Sequence, residues 1–296
     1  MNPPVGKKTD LTVKVIIEQL ADRFDRANLF YGHGTDNAYD EAAALVFATM
    51  GFDHEHALEY YDEAVSADLA DKMAELSELR ASSRKPLAYI LNEAWFAGES
   101  FYVDERVLVP RSPIAELIQD QFQPWVNPAD VKQVLEVGTG SGCIAITCAQ
   151  AFPAARVTAT DISQEALEVA TINLSRFALE DRISLQQADL LNEMEGCFDI
   201  MVTNPPYVPD SEQTILPDEY GHEPALGLYS GPDGLDAARS ILRDAPNLLS
   251  PQGILVLEVG AQWEALNNAF PDLPFTWLEF DHGGEGVALL NAADFH

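Results

Sequence analysis

Basic residues are scarce in this chain. Its 296 residues include 17 lysines and arginines against 48 aspartates and glutamates, a formal net charge of −31. Such a surface repels phosphate backbones and disfavours generic nucleic-acid binding. It attracts basic proteins and speeds their encounter; a salt-adapted proteome gives the same bias, and the two explanations are compatible. Cysteine is also rare. Cys143, Cys148 and Cys197 form no C-x-x-C pair, and an odd count suits a reducing compartment. No stretch approaches the roughly 18 to 20 apolar residues of a membrane span. The opening "MNPPVGKKTD" has no apolar segment to act as a signal peptide. The 6 histidines form no H-x-x-x-H or Cys/His cluster, so no metal site is expected. Repeats and low-complexity tracts are absent. These absences predict a soluble, cytoplasmic protein.

The first part of the chain carries helical periodicity. Val13, Ile16, Ile17, Leu20 and Phe24 share one face after Thr9 or Asp10 as a cap, and "DEAAALVFATMG" repeats the pattern with Gly51 as a stop. A third helix is predicted over Ala67–Arg80. From Trp95 the pattern changes: Phe101, Val103, Val107 and Val109 alternate with polar residues, predicting a hairpin that turns at Asp104 and Glu105 and ends at Pro110. After Pro113, apolar strands alternate with helices such as 163–179. The strands are predicted at 131–137, 156–161, 183–188, 199–204, 254–259, 276–281 and 287–291. Such a chain folds as an α/β protein, a parallel sheet covered by helices on both faces.

Two motifs carry the chemistry. The first, "EVGTGSG", follows the first of these strands and reads E-x-G-x-G-x-G from Glu136 to Gly142. Gly138, Gly140 and Gly142 permit a tight turn and a close ligand approach. A dinucleotide site would read G-x-G-x-x-G with pyrophosphate at the helix start. A carboxylate two residues before the first glycine suits instead a cationic amino acid. Asp161 ends the second strand, where a carboxylate accepts from ribose hydroxyls; it is also placed to cap the next helix. Asp189 follows the third strand, at the height of an adenine edge.

The segment 131–291 resembles the class I S-adenosylmethionine-dependent methyltransferases. The resemblance implies a Rossmann-like sheet of seven strands with the last antiparallel. It places S-adenosylmethionine on Glu136, Gly138, Thr139, Gly140, Ser141, Gly142, Asp161, Ile162, Asp189, Leu190 and Asn204, and leaves Cys143 and Cys148 as helix-face residues without a chemical role.

The second motif, "TNPPYV", ends the fourth strand. Pro205 and Pro206 fix φ near −65°, offer no N–H and keep their predecessors extended. The Asn204 side-chain oxygen and the Pro205 carbonyl then form a pair of acceptors for the two donors of a planar –NH₂ group. Tyr207 adds an aromatic face. An amide nitrogen is a poor nucleophile, and acceptors on both N–H groups return electron density to it. The alternative is a proline-rich strand exit with no ligand. Asn204, Pro205, Pro206 and Tyr207 are thus the expected catalytic and substrate-binding residues. The same pattern occurs in enzymes that methylate amino groups of adenine and in those that methylate glutamine amides of translation proteins.

Two features favour the second group. No basic stripe is visible to grip phosphates. The segment from Arg84 to Ile118, with Pro86, Tyr89, Ile90, Phe96, Phe101, Val103, "VLVPR" and Glu116, is similar to the linker of the glutamine methyltransferases. "SPIAE" (112–116) stands where release-factor enzymes carry an acidic P-D-T-E. With "YGHGTDN" (31–37), "HEPALGL" (222–228) and "FDHGGEGVALL" (280–290), it resembles the type acting on a basic protein of the large ribosomal subunit, uL3. That implies a helical substrate-recognition domain over 1–93, a β-hairpin linker over 94–112 and a catalytic domain over 113–296. Glu223 is a candidate for lining the substrate groove, or a solvated loop acid. The release-factor reaction and amino-adenine methylation remain the alternatives.

Overall fold

A computed structural model describes residues 11–52 and 56–295. The chain divides into two compact units, Met1–Asn92 and Glu93–His296.

The first unit is helical among its described residues. Helix Val13–Ala27 starts at Thr12, whose Oγ1 accepts from Val15 N, and stops at Asn28 in the left-handed conformation. Thr9 and Asp10, the sequence's candidates for that cap, lie outside the described residues. Helix Ala38–Met50 is capped by Asn37 and, as its sequence predicts, stopped by Gly51 at φ 72°. Ser66 caps helix Ala67–Ser83, which runs three residues beyond its predicted end to Arg84 in the left-handed conformation. Val13, Ile17, Phe24, Leu45, Phe47 and Met73 are buried between these helices. Arg80 is buried with them, and its Nε donates to Glu41 Oε1 at 2.5 Å.

The second unit opens with a two-stranded hairpin, β1 (Ala94–Phe96) and β2 (Glu99–Phe101). Its turn is at Ala97 and Gly98, φ 52° and 86°, not at Asp104 and Glu105. Two consecutive positive φ values are what a two-residue hairpin turn requires, and a glycine meets that need better than Asp-Glu. Asp104 instead turns the chain locally, its Oδ1 accepting from Arg106 N at 3.1 Å.

The seven-stranded sheet comprises β3 (Gln133–Val137), β4 (Arg156–Asp161), β5 (Ile183–Gln187), β6 (Phe198–Thr203), β7 (Leu249–Glu258), β8 (Thr276–Trp277) and β9 (Val287–Asn291). The order is β5-β4-β3-β6-β7-β9-β8, with β9 antiparallel to both its neighbours. Beyond Trp277 the chain leaves the sheet, so the predicted strand 276–281 is cut to two residues. The Glu116 carboxylate explains this departure. It accepts from the backbone N–H groups of Asp281 and His282, both at 3.0 Å, and holds a glycine-rich loop there. Buried residues pack on both faces of the sheet in two clusters. The connections reverse direction between β3 and β6, and ligands of open α/β sheets bind at the strand tips beside such a reversal.

Candidate active site

The tips of β3, β4 and β6 are tied together. Thr203 Oγ1 donates to Val137 O at 2.8 Å, and the N–H groups of Gly138 and Thr139 both donate to Thr160 O at 2.8 Å. These bonds set the glycine loop beside the N-P-P-Y corner.

Glu136 braces the loop from within. It is 1% exposed, and its Oε2 accepts from Thr139 Oγ1 at 2.5 Å and from Ala145 N at 2.9 Å. Burial pushes this carboxyl up to about 8, against those two hydrogen bonds. Asp161 joins the loop to the next helix: Oδ2 accepts from Gly140 N and Oδ1 from Ser163 N, both at 2.9 Å. The helix cap is Ser163, whose Oγ accepts from Ala166 N. Burial raises the Asp161 carboxyl as well. The three glycines divide their work. Gly138, at φ 76°, faces the corner, where an added Cβ would lie 4.0 Å from Asn204 O. At Gly142, φ 82°, it would come within 3.3 Å of the Ala170 side chain. Gly142 therefore lets the loop pack closely against the next helix.

A cavity of about 840 Å³ opens over these residues, within the size range of small-molecule sites. Glu136, Gly138–Ser141, Asp161, Ile162, Asp189, Leu190 and Asn204–Tyr207 line it, so the structure brings together every sequence-predicted site residue except Gly142 and Glu223. Ile162 is 44% exposed, an apolar side chain available to a flat ligand. Leu190 holds φ 52°, a strained value for a leucine at a cavity wall. Cys143 also lines the cavity, and burial pushes its thiol up to about 12, leaving it neutral.

Glu223 is placed differently from either expectation. Its side chain is fully buried behind the wall and pairs with Arg111, Oε1 to Nη1 at 2.6 Å and Oε2 to Nη2 at 2.8 Å. Oε1 also accepts from Val109 N at 3.1 Å. Burial without solvent demands such a partner. Arg111, not Glu223, reaches the cavity.

Sequence reasoning missed three residues. Glu258, at the end of β7, accepts from Ser112 Oγ at 2.5 Å and from the Tyr207 hydroxyl at 3.4 Å. Burial pushes Glu258 up to about 7, while Ser112 and Arg111 pull the other way. Burial also raises the Tyr207 phenol. Asn173, fully buried, accepts from Tyr102 N and donates to Tyr102 O and Ser141 O, fastening the segment after the hairpin to the glycine loop. A polar residue on an otherwise apolar helix face was the one available signal for Asn173; "SPIAE" marked Ser112 without revealing its partner.

A seven-stranded sheet ending antiparallel, with a glycine loop and N-P-P-Y at adjoining tips, defines an enzyme of the class I methyltransferase type. The Methyltransferase small domain family matches residues 119–217. The hMettl16 catalytic domain, solved in complex with MAT2A 3'UTR hairpin 6, shares this fold at TM-score 0.50 with 14% identity, over 76% of this chain and 80% of that one. The ribosomal protein uL3 glutamine methyltransferase of Neisseria meningitidis serogroup B is 44% identical over 280 residues, 94% of this chain and 92% of the relative. Its counterpart from Neisseria gonorrhoeae is 44% identical over 94% of this chain and 93% of the relative. The chain belongs to the family of ribosomal protein uL3 glutamine methyltransferases.

Proposed function

We propose that the cavity holds S-adenosylmethionine against the β3–β5 tips and the side-chain amide of a glutamine at Asn204–Tyr207. The glutamine belongs to uL3, the ribosomal protein for which the relatives are named, and which the sequence resemblance implies is a basic protein of the large subunit. One observation carries this reading. Among the described residues, no group donates to the Asn204 side chain or the Pro205 carbonyl, although both residues face the cavity and Thr203 locks them to the glycine loop.

The residues fit the donor. Asp161 would take the ribose hydroxyls, Glu136 and the glycine loop that it braces would hold the amino-acid end, and Ile162 and Asp189 would flank the adenine. Bound there, S-adenosylmethionine supplies a methyl carbon activated by the positive sulfur. The chain's task is then orientation. Asn204 Oδ1 and Pro205 O each take one N–H of the amide, fixing the nitrogen and enriching its lone pair. Aligning reactants in this way is worth effective molarities of about 10⁵ M or more. Tyr207 packs against the amide plane, and Glu258 and Ser112 hold its ring from behind. Added Cβ atoms at Gly260 and Gly234 would strike Tyr207 at 2.8 Å and 2.2 Å, so glycines let the surrounding chain close on it. The helical first unit and the acidic surface serve partner choice, in a soluble protein of the cytoplasm. No helix among the described residues is long and apolar enough to cross a membrane.

The test is to incubate the enzyme with isotopically labelled donor and separated ribosomal proteins and release factors. Label on a glutamine of uL3 is the expected result. Label on release factors alone, or on nucleic acid, overturns the substrate assignment.

A further inference from the structure

A second cavity, about 490 Å³, lies at the β8–β9 edge of the sheet. Trp263, Trp277 and Phe280 give it an aromatic lining, with Glu279 and Glu285 exposed at its rim. The two indoles meet edge to face, ring centroids 5.8 Å apart. Indole faces present negative potential and attract cations, and two carboxylates add charge of the same sign. An anion is repelled there, whereas a guanidinium or ammonium gains from both, and its alkyl stem gains from burial against the aromatic walls.

The cavity is anchored to the methyl-transfer corner. Glu116 pins Asp281 and His282, and an added Cβ at Gly284 would come within 2.8 Å of Pro113. At Gly286 it would lie 1.9 Å from Gly260 O, and at Gly260 2.8 Å from the Tyr207 ring. Close packing thus runs from Tyr207 through Gly260 to Gly286 at the cavity's edge. The loop's position depends on Glu116, and Pro113 of "SPIAE" meets Gly284 of "FDHGGEGVALL", so two stretches that set this chain apart from the release-factor type touch each other here.

We infer that this second cavity is a subsite for an arginine or lysine side chain of the substrate protein, close to the glutamine that is methylated. The inference rests on the proposed substrate being a basic protein. It assigns Trp263, Trp277, Glu279 and Glu285 to partner recognition outside the donor and amide sites.

The test measures the Kd of purified uL3 for the donor-free enzyme at fixed salt. It compares wild type with the double variant Glu279→Gln/Glu285→Gln and with a control, Glu180→Gln/Asp181→Asn. The control removes the same charge from an exposed loop beside β5, at the opposite edge of the sheet. Circular dichroism melting confirms that each variant is folded. The cavity variant is expected to weaken binding about tenfold, corresponding to about 1.4 kcal/mol, and the control less than about twofold, as for a distant surface charge screened by salt. Equal weakening by both pairs, or none by either, overturns the subsite. A wild-type enzyme that puts no label on uL3 overturns the functional reading and the subsite together; label with unchanged Kd overturns the subsite alone.

Discussion

The two sides of the main cavity are built in opposite ways. On the donor side, bonds close over short stretches of chain: Glu136 reaches Thr139 and Ala145, 3 and 9 residues away, and Asp161 reaches Gly140, 21 residues away. On the acceptor side, Val109 meets Glu223 across 114 residues, Ser112 meets Glu258 across 146, and Glu116 meets Asp281 across 165. The donor side is a self-contained loop that any chain with this motif can make. The acceptor side requires three distant segments to converge.

Breaking each side should give a different signature. The largest effect is expected from Asn204→Ala, which removes one of the paired acceptors. Turnover should fall by about 10³-fold, the size of losing a preorganised hydrogen-bonding group. Donor Kd, measured by calorimetry, should move little; a comparable loss of donor affinity would erase the division between the sides. Glu223→Ala should act on stability. It leaves the Arg111 cation at the cavity wall without its partner and should cost about 3 kcal/mol, the lower end for a broken buried pair because Arg111 is 26% exposed. Urea denaturation reads that value directly.

Asp161→Ala should give the converse of the Asn204 variant. Loss of a charged hydrogen-bond acceptor is worth about 1.5–3 kcal/mol, so donor affinity should fall about 10- to 100-fold while the rate at saturating donor is largely kept. The smallest effect concerns pH. Glu258 is pushed up to about 7 in the folded protein, above its ordinary 4.5. The folded state therefore holds the proton more tightly, and wild-type stability falls as pH rises from about 4.5 to 7. Glu258→Gln cannot titrate. Its stability, followed by urea denaturation, should gain on wild type between pH 5 and pH 8, by on the order of 1 kcal/mol. Parallel profiles would place the carboxyl's titration elsewhere.

Legibility in the sequence follows the same division. Strand positions β3–β6, the glycine loop and the N-P-P-Y corner are local patterns, so periodicity and φ constraints were enough to place them. The hairpin turn was misplaced because Phe101, Val103, Val107 and Val109 alternate even though Asp104 breaks the pairing; the turn chemistry of Ala97-Gly98 was the better guide. Glu223 was unreadable in its role because nothing local indicates a partner 112 residues away at Arg111. Basic residues gave a similar lesson. Arg80 is consumed by Glu41 and Arg111 by Glu223, so the charge offered to a partner is set by folding as well as composition.

The central claim is that Asn204 and Pro205 present a carboxamide to the donor methyl. The direct measurement is a crystal structure of the enzyme with S-adenosylhomocysteine, the demethylated product, and a glutamine peptide from uL3. The expected result is the glutamine side-chain nitrogen within about 2.7–3.2 Å of both Asn204 Oδ1 and Pro205 O, with its free face toward the sulfur. A glutamine bound away from those two oxygens, with the sulfur turned from the corner, would contradict the account.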